Sequence, residues 1–130
     1  MNPAHTDAPP ERKESLWLLI VSPTIWAAHF LLSYISAAIW CAKYAPRYGS
    51  LEPVRWAIAL YTVVALIGIV LNGRSGLRRH RFGAESLPHD FDTPGDRHRF
   101  LGFATALLAA LSAVATVFAA LVVIFFEDCR

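Results

Sequence analysis

Three apolar blocks, residues 16–42, 54–71 and 100–126, take up most of the chain and leave it few ways to fold. At 1.5 Å per helical residue each reaches roughly the ~30 Å of a bilayer's hydrocarbon layer, the second only just. His29 and, near one end, Arg55 alone interrupt the blocks with a side chain that can carry charge. A soluble three-helix bundle needs a polar outer face on each helix, and these segments have none. The hydrophobic share of 55%, with a mean hydropathy of +0.42, would also suit a dense soluble core. Its gathering into blocks, without an amphipathic period, decides for membrane spans. The expected fold is all-α: an integral membrane three-helix bundle over residues 16–130, preceded by a disordered tail over residues 1–15. Its helices are predicted at about 16–42, 54–72 and 99–126, with a polar connection at 73–98.

Arg12 and Lys13 stand before the first block as in a signal peptide. The block is about twice the length of a signal core and carries Trp17, Pro23, Trp26, His29 and Trp40, so it is expected to stay. Orientation follows from Lys and Arg. Arg12, Lys13, Arg74, Arg78, Arg79, Arg81, Arg97 and Arg99 place eight on one side, against four on the other at Lys43, Arg47, Arg55 and Arg130. The positive-inside rule then puts the N-terminus and the second connection in the cytoplasm and the C-terminus on the outer side, the periplasm if the membrane is a bacterial inner membrane.

Three crossings bring Cys41 and Cys129 to the same outer side. In an oxidising periplasm two thiols at one depth on neighbouring helices can meet disulfide geometry, and a Cys41–Cys129 staple is the favoured reading. The alternative is two unpaired cysteines acting as small hydrophobes. No CxxC or HxxxH spacing marks a metal site.

An ionisable ring at the middle of the first block is costly in lipid and draws attention to His29. At 100° per residue Ser22, Trp26, His29, Ser33, Ser36 and Trp40 share a wedge about 80° wide, a polar and aromatic stripe that should face protein. Pro23 frees the carbonyl of Leu19, and a kink is expected there. In the second helix Tyr61, Ala65, Gly68 and Asn72 recur at close spacing. Gly102, Ala106, Ala109, Ala110, Ala113 and Ala120 make one side of the third unusually small, which favours close helix approach. Ser112 and Thr116 are the first-choice hydrogen-bond partners for His29, with Thr62 next.

The plain reading of His29 is an interhelical hydrogen bond. As a haem ligand it would lack a second histidine, since His5, His80, His89 and His98 all lie in polar regions. A quinone headgroup held by His29 beside Trp26, or proton transfer through His29, Ser33 and Ser36, is chemically feasible without a motif behind it. Phosphate-binding glycine loops, GxSxG and paired acids within the blocks are absent, and three crossings show no inverted repeat of a transporter.

The basic stretch with Arg74, Arg78, Arg79 and Arg81 suits anionic lipid headgroups or a partner subunit better than nucleic acid, because the orientation rule already accounts for it. Glu85, Asp90, Asp92 and Asp96 follow and offer pairing to make the connection a cap or docking surface. Arg55, one turn inside the second helix, is expected to snorkel outward or pair with Glu52.

The arrangement Pro23-x-x-Trp26-x-x-His29-Phe30, then Tyr34 and Cys41, with Arg97-x-Arg99-Phe100-Leu101 opening the third helix and Cys129 at the terminus, resembles small uncharacterised bacterial inner-membrane proteins associated with haem-copper terminal oxidase systems. That resemblance implies a respiratory setting and carries no established catalytic residues. The expected function is a non-catalytic accessory or assembly subunit without a cofactor of its own, partnered by membrane lipids and by other membrane subunits, an oxidase or a second copy. The alternative is a haem- or quinone-binding electron-transfer subunit that uses His29 and Trp26.

Overall fold

The computed structural model describes the backbone of residues 10–44, 50–82, 94–126 and 129, and the side chains within 16–44, 50–78, 99–126 and at 129. Three helices run in order: α1 (Pro10–Lys43), α2 (Glu52–Phe82) and α3 (Pro94–Phe125). Each contains a stretch long and apolar enough to cross a membrane, Leu16–Lys43, Glu52–Arg78 and Arg99–Phe125. Successive helices are antiparallel, because His29 meets Thr62 while Asn72 meets Leu18, and Gly76 meets Gly102 while Arg55 meets Ile124.

The helices extend beyond the apolar blocks at the arginine-rich end. α1 starts at Pro10, so residues 10–15 are helical and not part of a tail, and α2 continues through Phe82 where a connection was expected from residue 73. Residues 1–9 of that tail, and 83–93 with Glu85, Asp90 and Asp92, lie outside the described residues. Hydropathy marks where a helix leaves lipid, whereas backbone hydrogen bonding has no reason to stop there when Arg, Leu and Lys, all good helix formers, continue the chain. Arg74, Arg78, Arg79 and Arg81 therefore stand on the last turns of α2, not in a loop. At the other end Pro53 occupies the first turn of α2, where its missing N–H costs nothing.

Packing is inside-out relative to a soluble bundle. Large apolar side chains such as Trp56, Leu60, Val64, Leu111, Phe118 and Val122 are exposed, while the interior holds Ser22, His29, Ser33, Asn72, Thr105, Ser112 and Thr116 beside Val54, Ile58, Ala65, Ile69 and Ala109. On α3 the buried positions Gly102, Thr105, Ala109, Ser112 and Thr116 follow a three-four spacing, which is the seam of a left-handed helix pair. Ala110, counted on sequence grounds with the small face, is exposed, because the seam runs through the hydroxyl residues instead.

The α2–α3 contact is the most extensive of the three. Gly73 and Gly76 make it so: a Cβ on Gly73 would stand 2.9 Å from Ala109 Cβ, and one on Gly76 would stand 2.9 Å from the Gly102 carbonyl oxygen. These glycines act as contact points within a continuous helix, not as breakers.

Candidate functional site

A polar column fills the middle of the bundle and is assembled mainly from one face of α1. Ser22, His29 and Ser33 lie within about 40° of each other around that helix and all three are buried. Trp26 and Ser36 sit at the two edges of the same wedge, about 40° from its centre, and are less enclosed. Trp26 is 37% exposed against 3% for His29, and its ring stacks on Phe30 with centroids 6.3 Å apart. Trp26 thus lies toward the outside of the bundle, while His29 is enclosed. The edge position explains this, because a bulky indole is accommodated by lipid more easily than by a close-packed interface.

His29 Nε2 lies 2.9 Å from Thr62 Oγ1, and the Thr62 hydroxyl donates to the Ile58 carbonyl at 2.7 Å. Assigning that proton to Ile58, the one of the two neighbours that can only accept, makes Thr62 the acceptor and His29 Nε2–H the donor. The partner is therefore Thr62, not Ser112 or Thr116. Thr116 is fully buried, but its hydroxyl donates to the Ser112 carbonyl within its own helix, a back-bond open to any helical threonine. Thr105 does the same to Leu101 and Thr24 to Ile20.

Nearer the arginine-rich end Asn72 joins α2 to α1. Its amide Nδ2 donates to the Leu18 carbonyl at 2.9 Å and to Ser22 Oγ at 2.8 Å. The sequence reading placed Asn72 on a recurring face of the second helix with Tyr61, Ala65 and Gly68 and missed this role. The available signal was a bifunctional amide on the buried stripe of α2, a residue type that lipid cannot satisfy. Among the described residues, three buried atoms have no protein partner: His29 Nδ1, Ser33 Oγ and Asn72 Oδ1.

The opposite end is closed by different chemistry. The Sγ atoms of Cys41 and Cys129 are at disulfide distance, 2.05 Å, with Cα atoms 5.7 Å apart. Arg55 Nη2 donates to the Ile124 carbonyl at 2.8 Å. It caps the C-terminal end of α3, where carbonyls lack helical partners and the dipole favours a cation. Neither a Glu52 pair nor a free snorkel describes it. Trp40 Nε1 donates to the Ser50 carbonyl at 3.1 Å and its ring stacks on Tyr44, so this aromatic ties α1 to the residues that lead into α2. Arg74 and Arg78 are exposed at the other end, and the side chains of Arg79 and Arg81 lie outside the described residues.

Chemically the column can hold helices together and bind small polar species, and no cluster of metal-ligating side chains occurs among the described residues. Thr62→Val should remove the acceptor for His29 while keeping the side-chain shape. The expected cost is about 1–2 kcal/mol, read as unfolding in detergent, with a null effect arguing against the bond.

Comparison with protein-family models, with curated proteins and with solved structures gives no match for this chain.

Proposed function

We propose that this chain is a non-catalytic accessory or assembly subunit of a bacterial respiratory membrane complex, with a haem-copper terminal oxidase as the setting its sequence resemblance implies. The observation that carries the non-catalytic part is the engagement of His29. Its Nε2 is held by Thr62, and the ring is enclosed. Among the described residues the membrane-spanning stretches expose many large apolar side chains, suited to acyl chains and to the apolar helices of neighbouring subunits.

In this reading the N-terminus and the arginine-rich end face the cytoplasm of the inner membrane and Cys41 and Cys129 face the periplasm. The charge count of eight against four supports that orientation, and a cysteine pair at bonding distance suits an oxidising compartment. Arg74 and Arg78, exposed on a helix and not on a loop, would then stand at headgroup level, each attracting anionic lipid by ~1 kcal/mol.

The test is a visible spectrum and a subunit inventory of the tagged chain purified in mild detergent. A colourless protein that brings down identified oxidase subunits supports the reading. A Soret band that disappears in His29→Ala would overturn it in favour of a haem-binding electron-transfer subunit, and recovery free of any respiratory subunit would remove the oxidase setting.

A further inference from the structure

We infer that the bundle interior contains a binding site for a water-sized ligand that both donates and accepts hydrogen bonds, held between His29 Nδ1 and Ser33 Oγ. Three observations lead there. The Thr62 hydroxyl lies 2.7 Å from the Ile58 carbonyl, and with its proton assigned there the 2.9 Å contact with His29 has Nε2–H as donor. A neutral imidazole with its proton on Nε2 bares a lone pair on Nδ1. That Nδ1 is buried with no protein partner, and so is Ser33 Oγ, one helical turn further along the same face.

Enclosure narrows the ligand. His29 is 3% exposed and Ser33 7% exposed, so neither headgroups nor a second copy of the chain reaches these atoms, and acyl chains offer no hydrogen bonds. The ligand must give a proton to Nδ1 and can take one from the Ser33 hydroxyl, which donates and accepts. Water meets both demands, as buried waters commonly do between otherwise unpartnered polar groups. A quinone ring offers carbonyl acceptors to an atom that needs a donor. Thr62 therefore sets the tautomer, and the tautomer selects the ligand. The site belongs to the bundle interior whatever complex the chain joins, so it stands or falls separately from the accessory reading.

His29–Phe30 is the one His–Phe step in the chain, which allows the ring to be assigned by paired isotope labelling without mutation. In the full-length protein in liposomes, water-edited solid-state NMR should show a neutral His29 with its proton on Nε2 and magnetisation passing from water to Nδ1. Ser33→Ala should weaken that transfer severalfold with the tautomer unchanged, while Thr62→Val should let the tautomer mix. A ring protonated on Nδ1, or transfer no faster than to the Phe30 amide, would overturn the site. So would a Ser33→Ala variant that shifts Nδ1 in a protein lacking water transfer, since Ser33 would then bond His29 directly.

Discussion

Cys41→Ser is expected to lower the unfolding free energy by about 2–4 kcal/mol, the largest loss from any single change considered. The bridge joins residues 88 apart, so its loop contains all of α2 and α3 and both connections. For a loop of that length in a random chain, the entropy model gives ~4–5 kcal/mol. Helices that stay helical in a bilayer or micelle after separating have less freedom to lose, which lowers the figure. The bond holds the chain just beyond α3, whose Ile124 carbonyl Arg55 caps, so losing it should loosen that end first. Denaturation of the purified protein with and without reductant checks this: reductant should destabilise the wild type to the level of Cys41→Ser and leave the variant unchanged. Two alkylated thiols in protein taken directly from the membrane would show that the pair is not bonded in the cell.

Gly76→Leu is expected to cost about 2–3 kcal/mol, with overpacking outweighing the gain in helix propensity of about 1 kcal/mol that replacing glycine brings. A Cβ on Gly76 meets the Gly102 carbonyl oxygen at 2.9 Å and both Thr105 Cβ and Cγ2 at 3.0 Å. A backbone oxygen cannot rotate aside, so α2 and α3 must separate and the seam through Thr105 and Ala109 must open. Ala110→Leu, on the exposed face of α3, is the control and should change stability by less than about 0.5 kcal/mol. Equal unfolding midpoints for the two variants would mean that the close α2–α3 approach is not what holds the bundle.

The number and type of elements were legible because lipid imposes a simple rule: a span must be long, apolar and hydrogen-bonded within itself. The buried face of α1 was legible too, since Ser22, His29 and Ser33 share one side of a helix and hydroxyl and imidazole groups have no place against acyl chains. Helix ends were not. Hydropathy fades at residue 72, but α2 runs on to Phe82, because leaving the apolar block removes a solvent preference and not a backbone hydrogen bond. Gly73 and Gly76 added to the difficulty, since a glycine that permits a turn and a glycine that permits contact look identical in one dimension.

Pairing was the least legible level. Ser112, Thr116 and Thr62 all had the chemistry to meet His29, and composition could not rank them. The rotation of α3 ranks them: it turns Thr116 inward yet leaves its hydroxyl on the Ser112 carbonyl, while α2 brings Thr62 to 2.9 Å from the ring. Arg55 shows the same dependence. Its neighbour in sequence, Glu52, was the evident partner, but the C-terminal carbonyls of α3 arrive beside it from a position 69 residues away.

The chain by itself thus determined three apolar helices, the inward stripe on the first of them and the side of the bundle on which Cys41 and Cys129 meet. Each follows from periodicity or from the parity of crossings, which are one-dimensional properties. Only the tertiary structure decided that Thr62 holds His29, that Asn72 bridges α2 to Ser22, and that Trp26 faces outward. These depend on the axial register and rotation of one helix against another. In a bundle with little hydrophobic force between its helices, those are set by where glycine, alanine and hydroxyl residues allow backbones to touch.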